Sequence, residues 1–129
     1  MNKKLLILGT VLGMISIVLG AFASHGLEKV ISSDNIETFQ VGVRYQMYHA
    51  LLLLFVGNTK NIANKSKYWI LIFVLIGTLF FSGSIYSLST NNLTGFDFKS
   101  IGFITPIGGL LLISAWIVML LSFLKLKAE

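Results

Sequence analysis

One stretch gathers side chains whose types and spacing suit chemistry: Arg44-Tyr45-Gln46-Met47-Tyr48-His49. On a helix, Arg44 with Tyr48 and Tyr45 with His49 are neighbours at i, i+4. A guanidinium beside phenols and an imidazole can hold an anion or hydrogen-bond a polar headgroup. His25, Ser82, Ser84, Tyr86 and Thr105 supply the remaining polar groups of interest. Several chemistries are poorly served. A metal site wants three or four ligands, and the chain has two histidines and no cysteine. Hydrolysis wants an activated nucleophile, and Ser82 or Ser84 near His49 would be a dyad without an orienting acid.

The elements that must position these groups are four long apolar runs: Leu5–Ala23, Phe39–Val56 (with its mouth at Glu37), Tyr68–Tyr86 and Ile101–Leu124. Each approaches the ~20 residues that cross a ~30 Å hydrocarbon core as a helix. A mean hydropathy of +0.84, with 55% hydrophobic and 12% charged residues, leaves too little polar surface for a soluble domain of 129 residues. The runs are continuous, not alternating, which argues against a barrel. The expected fold is one all-α domain over 1–129, an integral membrane bundle of four transmembrane helices spanning roughly 5–23, 37–56, 68–86 and 101–124.

Charge sets the expected topology. Lys3 and Lys4, then Lys60, Lys65 and Lys67, then Lys125 and Lys127 fall on one side, whereas the other two loops carry only Lys29 and Lys99. The positive-inside rule puts both termini in the cytoplasm of a multi-pass cell-membrane protein. This distribution accounts for the net charge of +5 without a nucleic-acid partner. Ala21-Phe22-Ala23 after an apolar run also resembles a signal cleavage site. Against cleavage, Gly9, Gly13, Ser16 and Gly20 line one helix face, a small-residue stripe suited to close helix packing. Gly83, Pro106, Gly108 and Gly109 are expected to serve packing as well, with Pro106 freeing the Gly102 carbonyl one turn back. Leu27–Ser33 reads as a short amphipathic segment with Leu27, Val30 and Ile31 on one side. Asp34 with Glu37 three residues on reads as a cap that starts the second helix near Asn35.

Counting 1.5 Å per residue from Glu37 puts Arg44 about 10 Å and His49 about 18 Å below the outer surface. A charge at such depth is costly and normally faces the bundle interior or water. Snorkelling toward the headgroups is the plainer reading for Arg44, as a hydrogen bond to a neighbouring helix is for His49. His25, Arg44, Tyr48, Ser82, Ser84, Tyr86 and Thr105 all map toward the outer leaflet, while the inner halves of the spans are nearly pure Leu, Ile, Val and Phe. No Asp or Glu falls within the first, third or fourth span, which disfavours a small proton-coupled transporter. His25 and His49 differ in depth by well over 10 Å on the same rise, so they do not suit one haem. Single-histidine haem ligation or a quinone near His49 and Tyr45 stays open.

Gly20-Ala-Phe-Ala-Ser-His-Gly-Leu27, Tyr45-Gln-Met-Tyr-His-Ala50, Phe81-Ser-Gly-Ser-Ile-Tyr86 and Ile104-Thr-Pro-Ile-Gly-Gly109 with Trp116 resemble the domain-of-unknown-function family numbered 423, of the UPF0382 type. The resemblance covers essentially the whole chain. Where the family usually reads Gly-Ala before the histidine, this chain has Ala23-Ser24. The resemblance implies a multi-pass membrane protein with no assigned activity and brings no catalytic residues to carry over. The resulting expectation is a non-enzymatic binding or assembly protein without a resident cofactor. Its outward-facing polar pocket would serve a lipid headgroup, small anion or partner protein, and its surroundings are the lipid bilayer with a possible membrane-protein partner or second copy. A redox-associated subunit holding haem or quinone is the alternative.

Overall fold

A computed structural model of the chain describes residues 1–128. Four helices dominate: α1 (Asn2–His25), α2 (Ser33–Asn58), α3 (Asn64–Ser89) and α4 (Ile104–Leu124). At 1.5 Å per residue, their 24, 26, 26 and 21 residues extend about 31–39 Å, enough to cross a bilayer. Composition alone marks α1, α3 and α4 as membrane helices. α2 is more polar, because Gln40, Arg44, Gln46 and His49 interrupt it. It is nonetheless as long as α3 and packs between α1 and α3, so it crosses with them.

The helices run up and down in chain order. α1 packs on α2, α2 on α3, and α3 on α4. Lys67 bonds Asn2 at one end of the bundle, and Tyr86 packs on Phe39 at the other. Both termini and the α2–α3 turn therefore share one end, here the basic end. Toward it lies a wholly apolar core that includes Leu5, Leu53, Val56, Ile70, Val74 and Ala115. A smaller cluster, Ala23, Leu27, Ile31 and Phe39, closes the opposite end. Between the two lies a belt of buried polar side chains: Ser16, Gln46, His49, Thr78 and Ser82.

Several boundaries differ from those expected. α2 begins at Ser33, not near Asn35, because the Ser32 hydroxyl accepts from the Asn35 amide at 3.2 Å and so caps the helix two residues before Asp34. The segment after α1 is a single 3-10 turn, Leu27–Lys29, with Leu27 and Ile31 buried but Val30 exposed. The fourth helix starts at Ile104, and Phe98–Ile101 forms a separate 3-10 turn. Pro106 thus sits in the first turn of α4, where a missing amide costs nothing. The Gly102 carbonyl, expected to be orphaned, accepts from the Thr105 amide at 3.3 Å.

The glycines sort by what a methyl would meet. At Gly9 it would lie 2.9 Å from the Ala50 carbonyl oxygen, and at Gly108 it would strike the backbone of Phe80 and Phe81. Gly13, Gly20 and Gly109 have room for one, so among the glycines of the α1 stripe only Gly9 is in tight contact with α2, and Ser16 on the same helix face is buried. Gly83 was expected to pack but has nothing within 4 Å. Pro106 is exposed and packs on no buried face. Gly42, passed over in the sequence, lies where a methyl would come 2.7 Å from the Tyr86 ring.

Candidate functional site

The nine polar residues singled out from the sequence divide among three faces. His25, Arg44 and Tyr48 line one open groove of about 630 Å³ between α1 and α2, with Ser16 and Gly20 at its base and Ser24 at its end. Arg44 and Tyr48 stand one turn apart on α2, and both are exposed. Ile17, Val43 and Met47 make the rest of the wall apolar. Gln40 spans the groove's far end, donating toward the Gly20 carbonyl and the Ser24 hydroxyl at 3.4 and 3.5 Å.

Ser82, Tyr86, Ser84 and Thr105 are instead consumed in joining helices. Ser82 donates to the Gly42 carbonyl at 2.8 Å, which fixes α3 on α2. Ser84 and Thr105 share a hydrogen bond of 2.5 Å between α3 and α4. Tyr86 donates to Gln46 Oε1 at 2.7 Å, and Gln46 Nε2 donates to the Leu12 carbonyl at 2.9 Å. Gln46 therefore ties α1, α2 and α3 together at the middle of the bundle. Both of its polar atoms are satisfied, which a buried amide requires. Gln46 carries no expected role in the sequence, where an amide in the middle of a span is the available signal.

Tyr45 and His49 occupy a third face, toward α4. The Trp116 indole N–H can only donate, so His49 Nε2, 3.1 Å away, accepts. His49 Nδ1 must then carry the proton and donate to the Tyr45 carbonyl at 2.7 Å. The imidazole is thus held neutral, in one tautomer, with both nitrogens engaged. The two histidines lie on different sides of α2, His25 in the α1–α2 groove and His49 against Trp116. Neither nitrogen of His49 is free for iron in this arrangement. Thr78 Oγ1 is the one buried side-chain polar atom without a partner among the described residues.

At the basic end, Lys67 is buried and donates to Asn2 Oδ1 at 2.8 Å and to the Thr59 carbonyl at 2.6 Å. It joins the start of α1 to the α2–α3 turn. In the loop at the other end, Asp97 accepts from the Lys99 amide and from Asn91. Those hydrogen bonds, the Lys99 amide first, hold its carboxyl below the ordinary carboxylate range.

Comparison with known proteins finds relatives described as membrane proteins. Residues 19–109 match the family model described as protein of unknown function (DUF423). The UPF0382 membrane protein of Staphylococcus haemolyticus is 37% identical over 95% of this chain and 97% of its own length. A UPF0382 membrane protein of Staphylococcus saprophyticus is 35% identical, covering 96% and 99%. The UPF0382 inner membrane protein YgdD of Escherichia coli K12 is 34% identical, covering 99% and 95%. No solved structure matches the chain.

Proposed function

The chain belongs to the DUF423 family of membrane proteins, and from that premise we propose that it is a non-enzymatic, multi-pass cell-membrane protein that holds an anionic lipid in the groove between α1 and α2. Arg44 carries the proposal. It stands in a membrane helix, about 10 Å below the level of Glu37, and is exposed to the groove. A charge at that depth needs a counter-charge or a route to water. A lipid phosphate supplies the counter-charge, and guanidinium matches its geometry with paired donors. The acyl chains of the same lipid cover Ile17, Val43 and Met47. Tyr48 and His25 add hydrogen-bonding groups along the groove, and no chemistry is asked of them.

The lysines of the basic end orient the bundle with both termini in the cytoplasm. The His25 end of the groove then faces outward. Because the native chain has no cysteine, single cysteines at Asn61 and Asn92 test this. A membrane-impermeant maleimide added to intact cells should label Asn92→Cys and spare Asn61→Cys; the reverse pattern inverts the topology.

A phosphatidylglycerol with a photoreactive acyl chain tests the groove. Cross-links should concentrate in Ile17–Ser24 and Val43–Tyr48 and disperse in Arg44→Gln. Even labelling around all four helices, unchanged by the substitution, would leave Arg44 as a merely snorkelling side chain.

A further inference from the structure

On the side of α2 away from the groove, a cavity of about 300 Å³ lies among α2, α3 and α4, lined by Tyr45, His49, Phe81, Gly109 and Trp116 with Leu112 and Ile113. We propose that it is a second ligand site, for the ring of a membrane-dissolved quinone. Its volume is at the lower bound of small-molecule sites, which suits a single ring with its tail outside. The aromatic walls meet at angles, 60° for Tyr45 with Phe81 and 83° for His49 with Trp116, so they are not stacked face to face. Aromatic faces are electron-rich, and a quinone ring is flat and electron-poor. One polar group matches too. A quinone has two carbonyl acceptors and no donor. The site offers the Tyr45 phenol as an uncharged donor to one of them, while the Trp116 indole N–H is committed to His49 Nε2 at 3.1 Å and so fixes that wall. An acyl chain would use neither the rings nor the phenol.

Access fits a ligand that arrives through lipid. Tyr45, Ile113 and Trp116 are 42%, 55% and 47% exposed on the bundle's side, at mid-membrane depth. Gly109 keeps the space clear: a methyl there would already touch the Phe81 ring at 3.7 Å, and anything larger would occupy the cavity. No residue of the α1–α2 groove lines this cavity, although the Tyr45 and Tyr48 rings meet edge-on at 5.5 Å.

Trp116 is a built-in reporter, since the chain has two tryptophans and the other, Trp69, packs near the basic end with Tyr68 and Phe73. In nanodiscs of phosphatidylcholine, the Trp69→Phe protein is titrated with a decyl-substituted benzoquinone while Trp116 fluorescence is followed. The expected result is saturable quenching, with affinity reduced at least tenfold by Gly109→Leu and several-fold by Tyr45→Phe, and unchanged by Arg44→Gln. Tyr45→Phe preserves shape and serves should the leucine variant fail to fold. Quenching that rises linearly with quinone content would overturn the proposal. So would quenching that neither folded variant alters, or a site that brominated lipid occupies and the quinone does not displace.

Discussion

Replacing Gln46 with leucine tests the helix-joining role of the polar belt. Leucine has similar bulk, so packing at this buried position changes little and the loss is mainly of two hydrogen bonds, to the Leu12 carbonyl at 2.9 Å and from Tyr86 at 2.7 Å. Cross-helix hydrogen bonds within membranes are worth about 0.6–2 kcal/mol each. The Leu12 carbonyl is not orphaned, because Ser16 Oγ also donates to it at 2.9 Å. The Tyr86 hydroxyl likewise keeps Ser82 as a hydrogen-bonding neighbour, so no unpaired group adds to the loss. The expected loss is therefore about 1–4 kcal/mol, roughly five- to a thousandfold in the folding equilibrium. Reversible unfolding in mixed micelles, with SDS as denaturant, measures it. A double-mutant cycle with Tyr86→Phe should return a coupling of about 0.6–2 kcal/mol for the Gln46–Tyr86 pair alone. A loss below about 0.5 kcal/mol, the usual span for a neutral surface change, or a coupling of zero would refute the reasoning.

The glycines give a matched contrast in the same assay. Gly108→Ala drives a methyl into the Phe80–Phe81 backbone and should cost about 1–3 kcal/mol, whereas Gly83→Ala meets open space and should be neutral or slightly stabilising. Asp97 predicts a pH effect confined to its loop. Its folded carboxyl titrates below the ordinary value of 3.8, so the ionised form stabilises the turn at higher pH. That stabilisation is lost as pH falls through the folded value. The Phe98 and Lys99 amide resonances should shift together with acidification below about 3.8, and Asp97→Asn should abolish the transition; a pH-independent pair of resonances would contradict it.

The membrane bundle was legible because apolar length is set by the bilayer, and Leu5–Ala23 or Tyr68–Tyr86 announces it without neighbours. Depth was legible too, since rise per residue is constant. Arg44, Ser82 and Ser84 do fall in the half away from the basic end, whereas Tyr48 sits just past the middle of α2 toward that end. Azimuth was not. Which way a side chain turns depends on which helices flank it, and α2 has α1 on one side and α3 on another. Arg44 and Tyr48 therefore separate from Tyr45 and His49, although all lie within five residues of each other. Hydroxyls such as Ser82 read as binding groups in the sequence, yet a hydroxyl in lipid finds the nearest carbonyl, here that of Gly42. Caps were misplaced for a simpler reason. Ser32, Ser33, Asp34 and Asn35 are all competent N-caps, and only the backbone decides among them.

The central claim is that Arg44 holds an anionic lipid in the α1–α2 groove, and native mass spectrometry of the protein released from mild detergent addresses it most directly. With phosphatidylglycerol and phosphatidylcholine supplied together, the native chain should retain one phosphatidylglycerol and little phosphatidylcholine. Arg44→Gln should lower that retention at least tenfold. Equal retention of the two lipids, or undiminished phosphatidylglycerol on Arg44→Gln, would contradict the account.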